Sequence, residues 1–240
     1  MKSLIPAVAL CAALAGCNFT SAKARDAGPM VDRTYTLGAF DRVVVAGPYE
    51  VVVTTGGQPG AKAHGGEAIL AETDIKVENG VLVIGPRKKN GMNWNWGKGG
   101  KVTVTVSAAA IHGATIAGSG GVRIDRVAGG KFKAEVAGSG DLDIGRMEVD
   151  AVELAVAGSG NIVAAGTAQS IEVSIAGSGD VDLANLVSAT AEVSIVGSGN
   201  VRAHATETAD VTTMGSGDVA LTGGAQCSIS KHGSGDVTCS

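Results

Sequence analysis

The chain has 240 residues, 45% hydrophobic but only 3% aromatic, with 37 glycines and a formal net charge of −4. That charge is unevenly placed: residues 17–110 hold 11 Lys and Arg against 8 Asp and Glu, whereas residues 111–240 hold 7 against 15. The acidic carboxyl-terminal half excludes nucleic acid as its partner, because phosphate backbones are held by clustered cations.

Met1-Lys2-Ser3 and the apolar run Leu4 to Leu14 form the charged start and short hydrophobic core of a secretory signal, too short to cross a bilayer as a helix. Leu14-Ala15-Gly16-Cys17 closes it and resembles the lipobox of bacterial lipoproteins, whose cysteine is acylated on the thiol and becomes the first mature residue. The resemblance implies a signal peptide over 1–16 and lipid attachment at Cys17, with the membrane as a partner through acyl chains worth about 0.8 kcal/mol per buried methylene. Residues 17–34 then read as the lipidated cysteine and a polar, flexible tether. The expected location is the bacterial cell envelope, at the outer membrane, facing either the periplasm or the surface.

Residues 35–110 read as β-rich. Strands are expected at Phe40–Val45, Tyr49–Thr54, Ile75–Val77, Val81–Ile84 and Lys101–Val106, with a brief helical turn around Glu67 to Glu72. Asn79-Gly80 between two alternating runs is a hairpin signal, since both positions accept positive φ.

From residue 111 to 240 the triplet Gly-Ser-Gly recurs at Gly118, Gly138, Gly158, Gly177, Gly197, Gly215 and Gly233. A period of 18 to 20 residues marks a solenoid, in which each unit buries its apolar face only by stacking on the next. Counted from the first glycine, the fourth residue before it is Ala114, Ala134, Leu154, Val173, Val193, Val211 and Ile229, and the fourth after it is Val122, Leu142, Ile162, Val181, Val201, Val219 and Val237. The columns at minus six, minus two and plus six are likewise mainly apolar, as side chains that alternate along strands require. The chain is therefore expected to be all-β: a single-stranded parallel, right-handed β-helix of about seven Gly-Ser-Gly coils, each with two strands flanking a glycine corner, continuous with its β-rich amino-terminal portion. Asp141, Asn161, Asp180, Asn200, Asp218 and Asp236 follow the triplets and are assigned to local backbone hydrogen bonds.

Cys11 leaves with the signal and Cys17 is taken by lipid, which leaves Cys227 and Cys239 at the minus-six and plus-six inward positions of the last coil. In an oxidising compartment they are expected to form a disulfide that pins the terminal rung.

Together with the opening Phe40-Asp41-Arg42-Val43-Val44-Val45 and Tyr49-Glu50-Val51-Val52-Val53, the Gly-Ser-Gly-Asp/Asn-hydrophobic repeats resemble the auto-transporter adhesin head GIN domain family over residues 39–240. The resemblance implies an exported β-helical protein and carries over no catalytic residue. Gly121, where other repeats have Asp or Asn, departs from the pattern and marks an adapted first coil.

Enzyme motifs fail on context. No Gly-Lys-Ser/Thr follows a triplet, no nucleophile elbow is present, and His64, His112, His204 and His232 lack metal-ligand spacing. Neither a cofactor nor a catalytic residue is assigned. Two surface features remain. Glu153, Glu172, Glu192 and Asp210 recur on successive rungs beyond Lys133, either as a solvated face that resists aggregation or as a contact strip for a divalent cation or a basic partner. Arg87 to Lys101 collects Lys88 and Lys89 beside Trp94 and Trp96, either covering the β core or meeting a membrane or glycan. The expectation is a non-enzymatic, lipid-anchored adhesin or envelope interaction module whose partner is a glycan or an envelope protein. The alternatives are a structural accessory of an envelope complex and a polysaccharide-active β-helix enzyme. For the enzyme, the discriminator is an acidic strip lying in a groove with a nearby Arg or Lys rather than on an open face.

Overall fold

A computed structural model describes residues 27–87 and 101–240. The expected signal peptide, Cys17 and the start of the tether lie outside those residues, as do Lys88, Lys89, Trp94 and Trp96. In chain order the elements are β1 (Met30–Thr36), β2 (Arg42–Ala46), β3 (Tyr49–Thr55), β4 (Gly60–Gly66), helix α1 (Glu67–Ala71), β5 (Thr73–Glu78), β6 (Val81–Pro86), β7 (Val102–Ala108) and β8 (Gly113–Gly118). The repeats follow as β9 (Gly121–Gly138), β10 (Asp141–Gly158), β11 (Asn161–Gly177), β12 (Val181–Gly197), β13 (Val201–Gly215), β14 (Val219–Thr222), β15 (Gln226–Gly233) and β16 (Val237–Cys239). Among the described residues no helix is long and apolar enough to cross a membrane.

The repeats form a parallel β-solenoid with every triplet in register. Gly118 pairs with Gly138, Gly138 with Gly158, Gly158 with Gly177, and so on through Gly197 and Gly215 to Gly233. Equivalent side chains pile up accordingly: Leu154, Val173, Val193 and Val211 are successive partners, all buried. Each such aliphatic side chain withdrawn from water contributes about 1.5–3 kcal/mol, and the rungs supply it to one another. The corner explains the glycines. Gly138 has φ +122°, and a Cβ on Gly140 would stand 2.6 Å from Ile116 Cγ2 and closer still to the Gly120 carbonyl oxygen. The serine between them donates its backbone N–H to the preceding rung, as Ser139 does to the Gly118 carbonyl at 2.8 Å.

The coil of β10 has three short sides where two strands were expected. In β10 the inward residues are Leu142 and Ile144, then Met147 and Val149, then Val152, Leu154 and Val156, with two consecutive outward residues at each bend. The middle pair makes the additional side. Register shifts between Ile144 and Met147, Val163 and Ala165, Leu183 and Val187, and Ser188 and Thr190 all fall at or beside it. The varying repeat length is absorbed there, and the columns flanking the triplets stay aligned.

The amino-terminal portion joins the stack out of chain order. β2 and β3 make one rung, with Val45 beside Ile116 and Val51 beside Val122, and Gly47 donating its N–H to the Ala117 carbonyl at 2.8 Å. β6 and β7 pair with the opposite edges of β2 and β3, so this rung is held between two others that follow it in the chain. Antiparallel strands close the outer end: β5 returns on β6 through Asn79-Gly80, whose φ values are 52° and 78°, while β4 lies on β7 and β1 on β4. The hairpin and the helical turn stand where the sequence put them, and α1 buries Leu70.

β1 corrects the tether boundary at residue 34. Val31, Arg33 and Tyr35 turn to the half-buried side of this strand, and the arginine in the middle hides the alternation that would have announced it. β4 was also unforeseen. Its inward residues are Ala61, Ala63 and Gly65, small because a Cβ on Gly65 would stand 2.9 Å from Val102 Cγ2. At the other end the last rung has no neighbour beyond it among the described residues, and Ile229, inward by its place in the column, is 47% exposed.

Candidate functional site

Strand register brings the predicted acidic residues into one column. Lys133 neighbours Glu153, Glu153 neighbours Glu172, Glu172 neighbours Glu192 and Glu192 neighbours Asp210. Hydrogen-bonded rungs lie about 4.8 Å apart, so the carboxylates form a row of like charge along the rod. Its first member differs from the rest. Glu153 Oε2 lies 2.7 Å from Lys131 Nζ and Oε1 lies 2.5 Å from Lys133 Nζ, and these two ammonium groups hold its carboxyl down at about 2. No cation is paired with Glu172, Glu192 or Asp210 among the described residues.

The column borders a shallow groove of about 340 Å³ at the bend of the coil. Ala151, Ser170, Thr190 and Thr208 lie along it, all small and the last three hydroxyl-bearing, and Lys131 lines it too. Lys131 is the residue that counting from the triplets missed, because it sits at the bend and not in an alternating strand. The strip therefore lies in a groove with a lysine, the arrangement set out above as the enzyme's. Glu153 is nevertheless fully ionised at neutral pH and unsuited to donating a proton. Among the described residues no three His, Cys, Asp or Glu side chains gather as a metal-ion group. The row spreads its charges along the rod and does not converge on a point.

The other polar columns have structural partners. Arg123 pairs with Asp143 and Arg202 with Asp182, each at 3.0 Å. After the triplets, Asp180 accepts the backbone N–H of Asn200 at 2.9 Å and its side-chain N–H at 2.8 Å, and Asn200 in turn accepts the N–H of Asp218 at 3.0 Å. Asp141 and Asn161 do the same lower in the stack. The alternation of Asp with Asn sets an amide beside a carboxylate for most of the ladder. Gly121 starts it because Glu50 occupies the neighbouring place, with Glu50 Oε2 only 2.7 Å from where a Cβ would stand. Cys227 and Cys239 form the disulfide, with their Cα atoms 6.6 Å apart.

With corner, columns and disulfide placed, the chain can be set beside known proteins. The family described as "Putative auto-transporter adhesin, head GIN domain" matches residues 39–225. The chain belongs to that family. Solved structures share the GIN-domain fold. A "putative adhesin" from Bacteroides fragilis is 23% identical, with TM-score 0.79, over 87% of this chain and 96% of its own. A "putative lipid binding protein" from Parabacteroides distasonis is 22% identical, with TM-score 0.69, over 88% and 97%. No curated protein matches the chain significantly. At these identities the likeness establishes the fold alone.

Proposed function

We propose that this GIN-domain protein is a non-enzymatic, lipid-anchored component of the bacterial cell envelope, an adhesin-type interaction module that offers a rigid, repetitive face to a partner. The observation that carries the reading is the acidic column: Glu172, Glu192 and Asp210 stack in register without counter-charges among the described residues, a repulsive arrangement that a bound basic surface would relieve. The family description as an adhesin points the same way. The partner is a basic envelope protein or a cationic glycan. The lipobox-like Leu14-Ala15-Gly16-Cys17 supplies the anchor.

The test is a pull-down from outer membranes and a glycan array, each with the wild type and with Glu172→Gln/Glu192→Gln/Asp210→Asn. Capture lost in the triple variant supports the reading. Capture unchanged by the triple variant, or none with either protein, refutes it. The groove beside Lys131 favours a second reading, a polysaccharide-active enzyme. Release of reducing ends or unsaturated products from envelope polysaccharides, abolished by Glu172→Gln, would establish it in place of the first.

A further inference from the structure

A second groove lies at the amino-terminal end of the solenoid, away from the acidic column. Residues of β1 and β5 line it, and among the described residues each is an edge strand, bonded to β4 alone and to β6 alone respectively. The groove has two adjoining compartments that share Thr34, Tyr35, Ile75 and Lys76. One, of about 360 Å³, is lined by buried Leu70 and Thr73 together with Arg33, Asp74 and Arg87. The other, of about 570 Å³, is lined by Leu37 and Val77 together with Tyr35 and Ile75. Of the residues the two do not share, Arg33, Asp74 and Arg87 stand in the first and Thr36, Leu37, Gly38 and Val77 in the second, so charge gathers toward one end.

The charges at that end are not equivalent. Arg87 is neutralised by Asp74 at 3.0 Å and Lys76 by Glu78 at 2.8 Å. Arg33, half-buried on β1, has no carboxylate partner among the described residues. The planar guanidinium fork of Arg33 matches a carboxylate or phosphate. A strand added to an edge would meet side-chain pockets alternating along its length. A groove whose arginines stand at one end and whose aliphatic Leu37 and Val77 stand at the other has the polarity of an amphiphile.

We propose that this groove binds one acyl chain of an amphiphile with one anionic head group, carboxylate or phosphate. Arg33 takes the head, and Tyr35, Leu37, Ile75 and Val77 receive the chain. The site is independent of the acidic column and of the adhesin reading. Its ligand has two sources, a free fatty acid or a membrane lipid.

The test uses the isotopically labelled full chain carrying Cys17→Ser, titrated with decanoate and with uncharged decanol, and cosedimented with phosphatidylglycerol or phosphatidylcholine vesicles. Decanoate is expected to shift the amide resonances of residues 33–37 and 75–77. Arg33→Gln weakens decanoate about tenfold or more and leaves decanol unchanged, as loss of one charged hydrogen-bonding partner requires. Val77→Arg blocks both. Groove binding of decanoate without vesicle cosedimentation assigns the free acid. Binding to phosphatidylglycerol but not phosphatidylcholine vesicles, lost in Arg33→Gln, assigns the membrane lipid. The proposal is overturned if neither decanoate nor phosphatidylglycerol engages these residues, or if Arg33→Gln, with an unchanged circular dichroism spectrum and melting temperature, binds both as the parent does.

Discussion

Replacing Gly138 by alanine separates the two reasons a glycine stands at the corner. Its φ of +122° lies where an L side chain costs about 1–2 kcal/mol. The new Cβ would also stand 2.5 Å from the Gly118 carbonyl oxygen and 3.2 Å from the Gly118 nitrogen and carbonyl carbon. That oxygen is fixed, because it accepts the Ser139 N–H at 2.8 Å, and relief requires separating two rungs at roughly a further 1–3 kcal/mol. Gly56→Ala is the control: its φ is +87°, and among the described residues nothing lies within 4 Å of the added Cβ. The expected losses are about 2–5 kcal/mol for Gly138→Ala and about 1–2 kcal/mol for Gly56→Ala. With a urea slope of roughly 2–3 kcal/mol/M, the first moves the unfolding midpoint down by about 0.7–2.5 M and the second by about 0.3–1 M. Circular dichroism in a urea series reads both. Equal midpoints for the two variants would show that close approach of the rungs is not what demands glycine.

The disulfide closes a segment of 12 residues in the last rung, worth about 3 kcal/mol in the chain-entropy model. Cys227→Ser/Cys239→Ser is therefore expected to speed amide exchange in β14–β16 and leave β9–β11 unchanged, and uniform acceleration would contradict a local role. Tyr49 is fully buried with its hydroxyl 3.2 Å from Thr73 Oγ1, and burial pushes that hydroxyl up to about 12. Its contribution to stability is complete below pH 10, the ordinary tyrosine value, and is lost as pH rises from there through about 12. Ultraviolet titration should show this phenol ionising last, and Tyr49→Phe should remove that final step. An unchanged titration in the variant would refute the assignment.

The columns on either side of each triplet were legible because the corner glycines hold them in fixed register and strand side chains alternate. Val173 and Val193 are neighbours for that reason, and Cys227 and Cys239 met as counted. The third side of the coil was not legible. Repeat length changes there, so Met147 aligns with Gly166 and then Leu186, residues that share no pattern. The order of the first rungs was hidden for a different reason. β2 and β3 have no Gly-Ser-Gly, and which rung lies between which is decided by contacts between residues far apart in the chain. The acidic column could be found by counting, whereas Lys131 at the bend could not. The groove between β1 and β5 was invisible because Met30–Thr36 reads as polar linker until β4 gives it a partner.

The rung made by residues 42–55 is wedged between segments from elsewhere in the chain, so it cannot be duplicated without breaking the closure around it. Any coil between Gly138 and Gly215 meets the same surroundings above and below. Inserting one more would leave both ends untouched and extend the rod by about 4.8 Å. Reach is thus an adjustable dimension of this architecture, set by copying twenty-residue units much as a ruler is lengthened by adding divisions.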